Sequence, residues 1–154
     1  MDNIDIVNYQ PEHRQRFKEI NEEWITQTYF MEEEDKKTLD DPEGYILKDG
    51  GKIFIALYNG FPVGTCAYLY LGNGVYEMIK MAVDSRYRGL KIGRKIGERS
   101  VQKVKELGAK KIILYSNTQG SGPAIDLYYK LGFIQVDLGS SEFIRADIKM
   151  EMEF

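Results

Sequence analysis

Hydrophobic positions follow two rhythms along this chain, and each change of rhythm marks an element. Ile4 to Val7 is a short strand candidate, closed by Asn8-Tyr9-Gln10-Pro11. Pro11 suits a first helical turn, because its fixed φ matches the helix and its missing N–H is not needed there. The helix is predicted to run to about Thr28, with Phe17, Ile20, Trp24 and Ile25 on one face. Glu32 to Leu39 reads as a second, short and highly charged helix, and Asp41-Pro42-Glu43-Gly44 as a turn.

The middle of the chain is strand-rich. Ile53 to Tyr58 is an apolar run followed by Asn59-Gly60, a hairpin signal because both residues tolerate positive φ. Strands are predicted over Val63 to Leu71 and Val75 to Val83, with Gly72-Asn73-Gly74 turning the chain between them. The rhythm then becomes helical from Arg88 to Leu107. Ile92, Ile96, Val101, Val104 and Leu107 form its stripe, and Gly108 stops it. Ile112 to Tyr115 is a buried strand. A helix opens at Gly122-Pro123 and ends at Leu131 before Gly132. Strands are expected from Phe133 to Val136 and from Phe143 to Met152. The order is β-α-α-β-β-β-α-β-α-β-β. This is an α+β chain with a mixed sheet, whose strand–long helix–strand unit should join parallel strands by a right-handed crossover.

Composition narrows the classes. A length of 154 residues suits one domain over 1–154, and 43% hydrophobic residues can supply its core. A net charge of −3 argues against a general nucleic-acid or membrane-surface binder. One cysteine, Cys66, rules out an internal disulfide and favours a reducing compartment. No apolar run reaches spanning length, and the first residues lack the zones of a secretory signal. A cytoplasmic protein is expected. With one histidine, His13, expected on a solvated helix start, neither a zinc site nor a Cys–His dyad nor a Ser-His-Asp triad is supported, and no metal is expected.

The segment Val83-Asp84-Ser85-Arg86-Tyr87-Arg88-Gly89-Leu90-Lys91-Ile92-Gly93-Arg94 carries the most chemistry. A strand ends, the chain turns, and a glycine-bearing helix begins. Such a start offers unpaired amide N–H groups and the positive end of the helix dipole, which together favour a phosphate. Arg86, Arg88, Lys91, Arg94 and Lys95 concentrate positive charge there. The bland alternative is close packing and a solvated basic face. Neither a Gly-x-x-x-x-Gly-Lys-Ser/Thr loop nor a Gly-x-Gly-x-x-Gly after the first strand is present.

Here the chain resembles the GNAT acetyltransferases. Their Arg/Gln-x-x-Gly-x-Gly/Ala loop falls on Arg88-Gly89-Leu90-Lys91-Ile92-Gly93, with Lys91 standing where the middle glycine should be and read as an ordinary helical residue with negative φ. Glu77-Met78-Ile79-Lys80-Met81-Ala82-Val83 looks like the family's fourth strand. Ala124-Ile125-Asp126-Leu127-Tyr128-Tyr129-Lys130-Leu131-Gly132-Phe133 is similar to its Ala-x-x-Leu-Tyr-x-Lys-x-Gly-Phe segment. The resemblance implies a GNAT-like fold. It implies transfer of an acetyl group from acetyl-CoA to a primary amine by direct attack in a ternary complex. The fourth and fifth strands should splay to admit pantetheine. Cofactor contacts fall on Met81, Ala82, Val83, Arg88, Gly89, Leu90, Lys91, Ile92, Gly93, Arg94, Asn117, Ser121 and Tyr128. Tyr128 matches the motif tyrosine and is the candidate general acid, the alternative being a packing role. Glu77, eleven residues before Arg88, matches a catalytic glutamate of histone-type members and is the candidate base. A water chain, or a strand glutamate paired with Lys80, is the alternative. The segment from Trp24 to Tyr45 should cover the acceptor, with Trp24, Tyr29 and Phe30 as its aromatic candidates. The acceptor is a small-molecule or protein amine. The competing readings are a non-catalytic acyl-CoA sensor and an interaction domain, the latter a homodimer formed through a final strand carrying Met150 and Met152 as an exposed edge.

Overall fold

The computed structural model describes residues 3–139 and 146–154. Its strands are β1 (Ile4–Asn8), β2 (Lys52–Tyr58), β3 (Phe61–Gly72), β4 (Val75–Val83), β5 (Lys111–Ser116), β6 (Ile134–Val136) and β7 (Ile148–Glu153). Its helices are α1 (Arg14–Thr28), α2 (Glu33–Asp40), α3 (Ile92–Glu106) and α4 (Gly122–Leu131). The predicted order of elements is the observed one.

The strands form one mixed sheet in the order β1-β2-β3-β4-β5-β7-β6. Every neighbouring pair is antiparallel except β4 and β5, which the α3 crossover makes parallel. Helices cover both faces. On one, Ile92, Ile96 and Val104 of α3 and Ile125 and Tyr128 of α4 pack on Phe54, Tyr68, Met78 and Ile112. On the other, Phe17 and Ile25 of α1 and Leu39 of α2 pack on Ile53, Ile55 and Ala67. Each large side chain so buried contributes about 1.5–3 kcal/mol, and that burial fixes which way each strand faces.

Several boundaries differ from the sequence pattern. The long helix begins at Ile92, not Arg88, because Gly89 and Lys91 take φ of 83° and 61°, which a right-handed helix cannot include. Leu107, counted in its stripe, is 54% exposed. After Asp41 the chain winds into a five-residue π-helical turn, Glu43–Leu47. His13 is not solvated: it is buried, and its Nδ1 accepts the Gln10 N–H at 2.9 Å. The last strand starts at Ile148; Phe143 and Ile144, assigned to it by pattern, lie outside the described residues. Nor is that strand an edge. β7 pairs with β5 on one side and β6 on the other, and Met150 is fully buried, so neither Met150 nor Met152 sits on a free edge. Among the described residues no helix is long and apolar enough to cross a membrane.

Candidate active site

The parallel seam between β4 and β5 is short. It pairs Val75 with Lys111, Tyr76 with Ile112 and Glu77 with Ile113. Past Glu77 the strands part, and a cavity of about 120 Å³ opens between them. β4 contributes Glu77 to Met81, and β5 contributes Leu114 to Ser116. Trp24, Ile25 and Tyr29 of the α1 end close one side, and Ser121, Ala124 and Tyr128 of α4 close the other.

A kink in β4 shapes this gap. Ala67 pairs with Ile79 but Thr65 pairs with Ala82, so Lys80 and Met81 together face Cys66. One extra residue reverses the strand's alternation. Tyr76 and Met78 face the α3–α4 core before the kink, and Met81 and Val83 face it afterwards. Lys80, at the kink, has a φ of 53°.

Downstream lies the turn into α3. Asp84 anchors it. Its carboxylate accepts from the Arg86 N–H and guanidinium at 2.8–3.1 Å and from Arg16 of α1 at 2.8 Å. The Arg86 hydrogen bonds, joined by Arg16, hold this buried carboxyl well below the usual carboxylate range. Arg86 and Arg16 are thus committed to the fold. Lys95 donates to the Ile4 carbonyl, Arg94 pairs with Glu98, and Arg88 donates to Gln27. Lys91 is exposed, takes the left-handed conformation that a glycine would take, and directly precedes the first turn of α3, which no side chain caps. Leu90 is half-buried and Ile92 fully buried, so the turn is moored by apolar contacts. A Cβ at Gly93 would meet only Leu127 at 3.5 Å and Val83 at 3.7 Å. That places the helix start beside both the end of β4 and the helix that carries Tyr128.

Tyr128 is 8% exposed and lies edge-on to Phe133, with ring centroids 6.1 Å apart. Burial, reinforced by the neighbouring Cys66 and Tyr29, pushes its phenol far above the ordinary tyrosine range. It therefore keeps its proton at neutral pH. Tyr29 and Ser121 meet hydroxyl to hydroxyl. Asn117 accepts from the Gln119 and Gly120 N–H groups, which shapes the loop into α4.

The geometry thus gathers Glu77, Met81, Asn117, Ser121, Tyr128, Trp24 and Tyr29 around one cavity. Ala82 and Val83 lead from it to the turn, where Arg88, Gly89, Leu90, Lys91, Ile92, Gly93 and Arg94 lie. Phe30 is apart: it is 60% exposed and does not line the cavity.

A model of the acetyltransferase (GNAT) family matches residues 17–133. The chain belongs to the GNAT acetyltransferase family. It is accordingly an acyltransferase, and the family's reaction is acetylation from acetyl-CoA. Solved GNAT structures share its fold. An acetyltransferase of Staphylococcus aureus Mu50 superposes with a TM-score of 0.88 at 23% identity, covering 98% of this chain and 99% of that one. The PaiA N-acetyltransferase of Thermoplasma acidophilum, in complex with coenzyme A, gives 0.79 at 19% identity and 99% coverage of both chains. The yncA structure from Salmonella typhimurium, with its cofactor acetyl-CoA, gives 0.76 at 18% identity, covering 98% and 94%. The sequence has no significant match among curated proteins.

Other residues of this GNAT cavity escape sequence reasoning. Asn21 and Lys80 line it, as do Tyr115 and Ala146. Asn21 carried a usable signal, a polar residue within the apolar stripe of α1. It is fully buried, and its Oδ1 has no partner among the described residues.

Proposed function

We propose that this GNAT protein transfers an acetyl group from acetyl-CoA to a primary amine by direct attack. The observation that supports this most is the placement of Glu77 and Tyr128 on one cavity, in a gap that leads to the uncapped start of α3. In this reading the amides of Ile92, Gly93 and Arg94, with the Lys91 ammonium, hold the diphosphate. The pantetheine arm lies along the parted strands past Met81, Ala82 and Val83, with Asn117 and Ser121 on its other side. A β4 amide polarises the thioester carbonyl.

An alkylammonium has a pKa near 10, so a base is needed at neutral pH. Glu77 takes that proton, directly or through water. The amine attacks the thioester carbon, the C–S bond breaks as the tetrahedral adduct collapses, and Tyr128 gives its proton to the departing sulfur. The adduct nitrogen gives its surplus proton to solvent as the neutral amide forms, and the proton taken by Glu77 returns to the phenolate through solvent. Burial disfavours the phenolate as it disfavours a thiolate, so the proton passes to sulfur only as the C–S bond breaks and negative charge gathers there.

No acyl-enzyme is invoked. Cys66 is fully buried, and burial pushes its thiol up to about 11. His13, which would have to activate Ser116 or Ser121, is buried elsewhere and does not line the cavity that they line. Trp24, Tyr29 and Tyr115 beside Glu77 suit a cationic amine, from a small molecule or a peptide. Strands from Ile4 to Glu153 share one sheet, which supports treating the chain as one GNAT-like domain. The lone buried cysteine supports a cytoplasmic setting. The hint of a non-catalytic sensor is Lys91 standing in a glycine position, and a φ of 61° gives it the backbone of the glycine it replaces.

The test is thiol release from acetyl-CoA across a panel of amines, with Glu77→Gln as the second arm. Amine-dependent release that falls in Glu77→Gln at pH 7 and recovers in part at high pH is expected. Acetyl-CoA binding without amine-dependent release would restore the sensor reading.

A further inference from the structure

Lys80 holds the kink of β4 in the left-handed region, where a side chain is strained. Such a conformation persists only when its surroundings impose it. Two sets of contacts do so. Its ammonium donates to Asp35 Oδ1 of α2 at 2.5 Å, in an ion pair whose side chains are 6% and 0% exposed. Its carbonyl accepts from Thr65 Oγ1 at 2.7 Å. With its proton spent there, Thr65 accepts from Asn21 Nδ2 at 3.0 Å, and Asn21 donates also to the Phe17 carbonyl at 2.8 Å. The second Asp35 oxygen accepts the Glu32 N–H at 3.0 Å, at the start of α2. One buried carboxylate therefore fixes both the beginning of α2 and the kink in the cavity wall.

We propose that Asp35 and Lys80 are positioning residues for acetyl transfer: their ion pair, with the Asn21–Thr65 relay behind it, holds the β4 kink so that the backbone from Met81 to Val83 faces the thioester. This rests on the acetyltransferase reading above. Neither residue touches a reacting atom in this role. Asp35 acts on the reaction only through Lys80, and Lys80 through the strand it bends. A simple buried ion pair would serve stability alone, and such pairs can be exchanged for neutral side chains without loss of the fold. A positioning pair cannot be exchanged without loss of rate.

The experiment compares wild type with Asp35→Asn, Lys80→Met, the double variant, and Thr65→Val. Turnover is expressed per acetyl-CoA-binding site, and melting temperature is measured alongside. The single variants should melt lower and lose about tenfold or more in kcat, with the acetyl-CoA KM within about twofold. The double variant, with no buried charge left unpaired, should regain melting temperature yet stay slow. Thr65→Val, the mildest change, removes a buried hydroxyl from two hydrogen bonds and should lower melting temperature by a few degrees and kcat several-fold while the protein still folds. Recovery of rate together with melting temperature in the double variant would overturn the proposal, as would unchanged kcat per site in Thr65→Val and the single variants. A wild type with no amine-dependent thiol release would instead bring down the acetyltransferase reading, and this inference with it.

Discussion

The hydroxyls of Tyr29 and Ser121 lie 2.5 Å apart although 92 positions separate them in the chain. Tyr29 ends α1 on the proposed amine side, and Ser121 begins α4 on the proposed cofactor side. One hydrogen bond thus spans the cavity. Tyr29→Phe keeps the ring and removes that bond, a loss of about 1 kcal/mol. The amine KM should rise by about three- to tenfold, with the acetyl-CoA KM within about twofold, in steady-state kinetics. A shift in the acetyl-CoA KM alone would assign the bond to the cofactor side.

Tyr128→Phe should lower kcat by about a hundredfold, the scale of general acid catalysis, and leave acetyl-CoA affinity unchanged. The edge contact with Phe133 survives the substitution. Burial raises the pKa of this phenol, so the sign is fixed: the group stays protonated as pH rises through neutrality and past the ordinary tyrosine value near 10. The pH profile of kcat should therefore show no alkaline fall that vanishes in Tyr128→Phe below about pH 10.

At the turn into α3, Gly93→Ala separates packing from binding. The added Cβ meets only ordinary van der Waals contacts, and alanine in place of glycine in a helix is favourable by about 0.5–1 kcal/mol. Melting temperature should hold or rise. Acetyl-CoA affinity should fall, and Gly93→Glu should abolish it. Titration calorimetry checks both, and full affinity in Gly93→Glu would move the diphosphate elsewhere.

Lys91→Gly should relieve a left-handed lysine, a strain of about 1 kcal/mol, and remove a cation in the same step. Thermal melts should show a gain in stability, reduced by the greater freedom of glycine when unfolded. Acetyl-CoA binding should weaken and lose part of its salt dependence. Affinity with unchanged salt dependence would exclude the Lys91 ammonium from the phosphate site.

Asp84→Asn should destabilise the protein by about 2–4 kcal/mol at pH 7, because Arg16 loses a buried partner. The folded pKa of Asp84 is depressed below its unfolded value. Its contribution is therefore complete above about pH 4 and is lost as pH falls toward the folded value. Melts from pH 7 to pH 3 should fall more steeply for wild type than for the variant.

Much of this architecture is written locally. The sequence pattern predicts Val75 to Val83 and Gly122 to Leu131 with the bounds observed, because Gly72-Asn73-Gly74, Asp84-Ser85, Gly122-Pro123 and Gly132 punctuate the sequence at those points. The cavity is legible where a residue sits on a motif, as Tyr128 and Glu77 do. The kink is not. Nothing in Glu77-Met78-Ile79-Lys80-Met81-Ala82-Val83 departs from a regular strand, since its cause lies in Asn21, Asp35 and Thr65, which only the fold brings together. Lys91 misled for a related reason. Its propensity is helical, but the turn begun at Gly89 and moored by buried Ile92 dictates its φ. The burial of His13 is not legible in the sequence, because its partner is a backbone N–H, which no side-chain pattern reveals.

The three-rung seam at Val75, Tyr76 and Glu77 carries a mechanical consequence. It joins two strand groups, β1–β4 and β5–β7, through few paired positions, and the groups meet again where Gly97 of α3 abuts Leu131 of α4. A long thioester arm lying along both parted borders would brace the two groups against each other. Losing the acetyl group leaves that brace in place, so the spent carrier should depart slowly, and its departure rather than bond making would then govern the pace of each cycle.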